Sequence, residues 1–443
     1  MAIGADRIYS ALIKRNPEAE QQLPAKARRN IASNGLRQVG ASTLQSSGDH
    51  TVNASTVLPW LLAALGAPVV FSGLLVPIRE SGSMLPQAAL TPWILRVRYR
   101  KRVHVAGSLI QSAAVATMAA TAALATGLTA GLLIVGALMV FAFGRCLTSI
   151  ASKDVQGRTI SKGVRGQING LATTTAGVAA ITLGVAIRSR GGEDLEADQL
   201  ALLLAAGAVL WAGAAWIYAG IREPDDPTTE PSSSAGTNEG TWFTQSVALL
   251  REDKPFRQFV MVRSLLLVSA LSPPLVVTLS IQRGADSLAG LAGYIIASGV
   301  AALIGGRLFG RLADRSSTRL MSTGAGVASM ILIMTVIVVA LPGFSADSTV
   351  GNLLFIGVYL ALTLTHTGVR IGRKTYVVDM AEGDQRTRYV AVSNSAMGVI
   401  LLIVGVISSA LATVAISLAL LFLAAMGFIG VFAGARLRDV SIH

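Results

Sequence analysis

Stretches of about 20 mostly apolar residues recur along nearly the whole chain, and each is long enough to cross a bilayer core of about 30 Å as a helix. Hydrocarbon offers no water to backbone N–H and C=O groups, so a chain of this kind satisfies them internally, as a bundle of helices. Windows fall at 40–62, 64–91, 103–123, 128–150, 167–187 and 200–221, then at 259–281, 288–309, 320–341, 351–371, 390–412 and 415–433. They predict an all-α polytopic membrane protein of twelve transmembrane helices. The first window carries Gln45, Ser46, Ser47, Asp49, His50 and Asn53 and escapes hydropathy alone. The last two form one apolar run from Met397 to Gly434, divided because a single helix of that length overshoots the bilayer.

Charge position tests the count, because Lys and Arg collect on the cytosolic side. With twelve spans, 31 of the 37 basic residues fall in the two tails and in every second joint. Arg188, Arg190 and Arg283 lie on the opposite side, and Arg79, Arg145 and Arg263 lie within spans. Without the polar first span, the basic amino-terminal tail would be left outside. The formal charge of +13 therefore follows from topology and calls for no nucleic acid.

The chain divides into a cytosolic tail (1–38), a six-helix bundle (39–221), a central cytosolic loop (222–256), a second six-helix bundle (257–435) and a short cytosolic tail (436–443). The first tail lacks the pattern of a secretory signal and suits a segment resting on anionic lipid. Residues Glu223 to Gly240 have the composition of a disordered linker, and Trp242, Phe243, Val247, Leu249 and Leu250 predict a short surface helix. The halves resemble each other at a shift of about 220 residues. Lys153 and Arg165 precede a Gly- and Asn-bearing helix as Lys374 and Arg386 do, and Gly66-Ala67 corresponds to Gly284-Ala285. Parallel repeats of this kind predict two pseudo-symmetric bundles with a solute site between them.

A charge near the bilayer centre costs about 2.5–3.5 kcal/mol on insertion scales and persists where it faces the protein interior. Arg79 and Glu80, adjacent in the second window, are the leading functional candidates. The bland alternative is an ion pair that only fixes helix packing. Asp49 and Glu80 are the expected proton carriers, because a buried acid beside an arginine can take a proton from one side and release it to the other. Arg79, Arg145, Arg263 and His366 are the expected solute contacts, and the excess of arginine favours an anionic or zwitterionic solute. The lone Cys146 and four scattered histidines exclude an internal disulfide and a cysteine metal cluster. No HExxH stretch, Walker loop or GxSxG elbow is present, so neither an enzyme nor a cofactor beyond a proton gradient is expected.

Between the eighth and ninth windows the chain reads Gly310-Arg311-Leu312-Ala313-Asp314-Arg315-Ser316-Ser317-Thr318-Arg319. An Asp at a helix end can accept hydrogen bonds from the exposed N–H groups of a neighbouring helix start. By pseudo-symmetry that neighbour is the start of the fifth window beside Arg165, and Asp314 is the expected latch on the cytosolic side. The pattern GxxxDRxxxR, with twelve spans in a six-plus-six repeat, both ends inside and a long central loop, resembles the major facilitator superfamily. The architecture covers essentially the whole chain, while the motif covers ten residues. Its first-half copy, 88–102, keeps the basic cluster and lacks the Asp. Arg145 is similar to the intramembrane arginine of the superfamily's proton-coupled antiporters, and the fifth window lacks the Gly-Pro pair of its drug exporters. The resemblance implies alternating access, in which the halves rock around a central site. The expected function is proton-coupled secondary transport of a small organic solute by a monomer in a bacterial inner membrane, with both termini cytosolic. A lipid or amphiphile flippase or drug exporter on the same fold is the alternative. An intramembrane enzyme or receptor is disfavoured by the lack of a nucleophile and base pair.

Overall fold

The computed structural model describes residues 2–13, 15, 17–21, 23–161, 164–189, 197–224, 242–284, 288–380 and 383–437, and the regular elements among them are all helices. Three short helices come first: α1 (Ala2–Leu12), α2 (Pro17–Gln21) and α3 (Ala25–Arg29). Helices then occupy each predicted window. The first is a broken rod of α4 (Ile31–Thr51) and α5 (Val57–Ala64), and the second is α6 (Val70–Met84) and α7 (Gln87–Arg96), parted at Pro86. Next come α8 (Arg100–Leu124), α9 (Gly127–Thr159), α10 (Arg165–Ser189) and α11 (Ala197–Ala219). A short α12 (Trp242–Glu252) precedes the second half, which opens on α13 (Lys254–Leu265) and α14 (Val268–Gln282). It continues through α15 (Leu288–Arg315), α16 (Ser317–Val339), α17 (Thr349–Asp379), α18 (Gly383–Val414) and α19 (Ile416–Gly434).

Eight stretches among the described residues are long and apolar enough to cross a membrane: α8, α9, α11, the joined α13 and α14, α16, α17, α18 and α19. Helix α4 is too polar to join them, and α10 and α15 contribute shorter apolar stretches, Thr174–Val185 and Gly290–Gly305. The outer surface is apolar where lipid would meet it. On α11, Leu202, Val209 and Trp216 recur every two turns and are exposed, and Ile403 and Val406 are exposed on α18. Residues 225–241, which hold most of the proline- and serine-rich insert, and 438–443 at the end of the carboxy-terminal tail lie outside the described residues.

The repeat is visible in the backbone. Gly66 and Gly284 close the first rod of each half, Gly127 at the start of α9 and Gly343 after α16 follow the third, and all four have positive φ. Each pair is about 217 positions apart, matching the shift read from the sequence. The first rod of each half is also interrupted, at 52–56 and at 266–267.

The halves meet along two seams, α6 against α18 and α10 against α15. Glycine permits both. A Cβ on Gly405 would sit 2.2 Å from the ring of Pro77. A Cβ on Gly299 would sit 3.0 Å from the carbonyl oxygen of Gly177 across the other seam. The first seam also carries a hydrogen bond from Ser81 Oγ to the carbonyl of Gly398, at 2.8 Å. On the face away from the chain's two ends, α5 packs on α14, and the aromatic rings of Trp60, Tyr294 and Tyr359 form a chain from one half to the other. Trp60, Tyr294 and Tyr359 are all buried.

The amino-terminal segment docks on the bundle and does not simply extend from it. Tyr9 and Ile13, one turn apart, are buried against Ile31, Ile160, Val164 and Ile168. Gly35 lets the Tyr9 ring lie directly on α4. The segment is clasped by Arg15, which donates to both carboxylate oxygens of Glu20 at 2.9 and 2.6 Å.

Candidate functional site

The polar residues that hide the first rod from hydropathy serve two purposes. Most hold helices together within the first half. Gln38 donates to Thr159 Oγ1 at 2.8 Å, and Gln45 lies 3.0 Å from His104 Nε2 and donates to Ser108. Thr43 bonds Thr175 at 2.7 Å. His104 is buried, stacked on Tyr218 with ring centroids 3.5 Å apart. It is a packing residue.

Asp49, near the end of α4, is different. Arg79 on α6 donates to its Oδ1 at 2.6 Å, and Arg145 on α9 donates to Oδ1 and Oδ2 at 2.8 and 2.9 Å. The Arg79 guanidinium also lies over the Phe141 ring, 5.6 Å from its centroid. The Asp49 side chain is 25 % exposed and that of Arg145 33 %, so the cluster is not sealed within the helices that carry it. Of the two expected proton carriers, Asp49 thus has both oxygens engaged. A proton reaches it only by displacing an arginine.

Glu80 is the contrasting group. It is half-buried, and among the described residues its carboxylate has neither a hydrogen bond nor an ion pair. The Arg79–Glu80 ion pair weighed as the alternative to a functional role does not form, because consecutive helical residues point about 100° apart and Arg79 turns to Asp49. Glu80 lies within electrostatic reach of Arg79 and Arg145 in its own half and of Arg370 and Arg373 in the other. Ser81, the next residue, is bonded to α18, so Glu80 stands at the seam itself.

In the second half, Arg263 is buried and donates to Ser393 Oγ at 2.8 Å and to Asn394 Oδ1 at 3.1 Å. His366 Nδ1 lies 3.4 Å from Ser269 Oγ. The sequence placed Arg370 and Arg373 in a cytosolic basic joint, but α17 runs on to Asp379, beyond the predicted end at 371, and carries both within the helix. Their signal was a helical stripe: Tyr359, Thr363, His366, Arg370 and Arg373 follow one face at intervals of three and four. Tyr359 on that face is buried, and Arg370, three turns further along, is exposed.

Of the expected latch, α15 carries Gly310, Asp314 and Arg315 in its last turns, and Arg165 begins α10. The two helices pack antiparallel, with Gly177 opposite Leu303 and Gly184 opposite Ile296, a register that brings the start of α10 level with the end of α15. The side chains of Arg165, Gly310, Asp314 and Arg315 lie outside the described residues. Arg319 is exposed, and its N–H donates to the Ser316 cap of α16.

No family model matches the sequence, and no curated protein matches it. Solved structures do. A crystal structure of the nucleoside transporter NupG aligns with a TM-score of 0.63 at 13% identity, covering 91% of this chain and 98% of that one. The chain has the major facilitator fold. A D-xylose-proton symporter aligns at a TM-score of 0.62 and 15% identity over 93% of this chain and 97% of that one. A POT family transporter in complex with 5-aminolevulinic acid aligns at 0.67 and 11% over 94% and 98%. The fold resemblance stated from the GxxxDRxxxR stretch and the repeat therefore holds over most of the chain.

Proposed function

We propose that this protein is a secondary transporter that carries a small organic solute across a membrane by alternating access, with Glu80 as the proton-coupling group. The observation that carries the reading is Glu80: an unpaired carboxylate on one bundle, set among the arginines of both, at a seam closed on one face by Trp60, Tyr294 and Tyr359. A charge that moves between arginines of two bodies ties their relative position to its own protonation. Asp49, with Arg79 and Arg145, then serves as the fixed electrostatic wall of the site. The structural neighbours include transporters named for nucleoside, xylose with proton, and peptide, which supports solute transport over catalysis. The basic tails and alternate joints support a cytosolic position for both termini in a bacterial inner membrane.

The test is proton movement in proteoliposomes containing a pH-sensitive dye, with a solute panel added outside. The expected result is acidification or alkalinisation with at least one solute in the parent and none in Glu80→Gln. Solute uptake with no proton movement, equal in the two proteins, would remove Glu80 from the coupling role.

A further inference from the structure

Within the first half, on the face bearing the amino-terminal tail, lies a cavity of about 320 Å³ lined by Lys26, Tyr99, Lys101, Arg102, Arg222 and Glu223. Three segments build it: α3, the joint that opens α8, and the chain just past α11. Four cations thus face one carboxylate, and that carboxylate is already engaged, because Glu223 accepts from the backbone N–H groups of Arg100 and Lys101. The other acid of this region, Asp154, is held by Arg100 and Arg158. Neutral groups fix the cations instead. Lys101 Nζ donates to the carbonyl oxygens of Ala219 and Ile221 at 3.1 and 2.7 Å, and the Arg222 guanidinium donates to Asn30 Oδ1 at 3.0 Å. Asn34 holds the Arg222 backbone, donating to its carbonyl at 3.0 Å and accepting from its N–H at 2.9 Å. Arg102 lies over the Tyr99 ring, 5.3 Å from its centroid. Among the described residues none of Lys101, Arg102 and Arg222 ion-pairs with a carboxylate. Membrane topology accounts for the sign of these residues, but not for segments far apart in the chain bringing them to one concavity. Depth is marked by Trp216, exposed on α11 one turn before Ala219: an exposed indole belongs at the headgroup level, and the cations stand just beyond it.

We propose that this pocket binds a phosphate group, carried by an anionic lipid headgroup or by a soluble phosphate compound, through Lys26, Lys101, Arg102 and Arg222. A phosphate accepts several charge-assisted hydrogen bonds at once and brings the negative charge that the pocket lacks. Lys101 and Arg222 are already held by their neutral partners, so little side-chain freedom is lost when the anion arrives. Basic pockets between helices at the membrane surface take headgroups of this charge. The bound group ties the amino-terminal tail, through Lys26, to the start of α8 and to the point where the central loop leaves the first half. None of Asp49, Glu80 and Arg263 lines the pocket, and the inference stands whether or not the transporter reading does.

The full-length protein in detergent is titrated with inorganic phosphate, with pyrophosphate and with dioctanoyl phosphatidylglycerol at constant ionic strength, and binding is read as a rise in Tm. Dioctanoyl phosphatidylcholine, a lipid with no net charge, is the control. The expected result is a saturable rise with at least one of the three anions that exceeds any rise with the control. Lys26→Gln and Arg222→Gln should each weaken binding about tenfold, and the double variant should abolish the rise. Arg222→Lys, which keeps the charge, should retain part of it and report that the pocket still folds. Lys254→Gln, which removes an exposed cation from the start of α13, should bind as the parent does. A rise with phosphatidylglycerol alone assigns a lipid headgroup to the site, and a rise with phosphate or pyrophosphate alone assigns a soluble ligand. No saturable rise with any of the anions overturns the proposal. So does a loss in Lys254→Gln equal to that in Arg222→Gln, which would reduce the effect to net charge, and so does a rise that survives in the Lys26→Gln, Arg222→Gln double variant.

Discussion

Asp49 accepts from Arg79 and Arg145 together, so removing its charge leaves two guanidinium groups facing each other, one of them buried. Asp49→Asn should lower stability by about 2–3 kcal/mol, less than for a fully enclosed pair because Asp49 and Arg145 keep some exposure. The double variant Asp49→Asn, Arg79→Gln should recover part of the loss in a double-mutant cycle read from Tm. A second residue-scale test lies outside the spans. Glu223, just past α11, accepts from the backbone N–H groups of Arg100 and Lys101 and so caps α8. Burial nevertheless pushes its carboxyl up from the ordinary range, with those N–H groups pulling it back. A raised carboxyl favours the folded state most when protonated, so its contribution is present at low pH and lost as pH rises through the shifted value. Glu223→Gln should therefore flatten the change of Tm between pH 5 and pH 7, whereas Glu223→Ala should cost about 1 kcal/mol at either pH through loss of the cap. Equal pH slopes in parent and Glu223→Gln would contradict this.

At the scale of helices, the seams depend on closeness. Pro77 on α6 fills the space over Gly405 on α18, and a methyl there meets a rigid ring, so Gly405→Ala should destabilise by about 1–3 kcal/mol. Gly136 on α9 has nothing within 4 Å of an added Cβ, and Gly136→Ala should be neutral or stabilising through helix propensity alone. Thermal melts of the two variants in one detergent check the contrast. Equal effects would mean that the α6–α18 seam is not tightly packed. The helices themselves were legible in the sequence, including α4, which charge parity recovered after its polar side chains had masked it. The reason for that polarity was not legible: Gln38, Thr43 and Gln45 find partners on α8, α9 and α10. Arg145 and Asp49 stood out as charges in apolar windows, but their pairing joins residues 96 positions apart, which composition cannot show. Arg370 and Arg373 stayed hidden for the opposite reason. They border a run of basic residues that topology already explained, and only the length of α17 separates them from it.

Taken whole, the molecule is two bundles with a repeated backbone plan, closed together at Trp60, Tyr294 and Tyr359 and sharing a set of charges between them. The proposed function requires these bundles to change position relative to each other as Glu80 changes charge. Cys146 is the only cysteine and is buried, so a Cys146→Ser background accepts spin labels at chosen sites. One pair, Ala125 with Asp347, spans the halves on the face closed by the aromatic chain, and another, Lys153 with Arg319, spans them on the face bearing the termini. Distances from double electron–electron resonance in lipid nanodiscs, measured for the parent and for Glu80→Gln at one pH, decide the matter. In Glu80→Gln, which lacks the charge, one distance should lengthen as the other shortens relative to the parent. Two distances that stay fixed, or that lengthen and shorten together, would contradict the account.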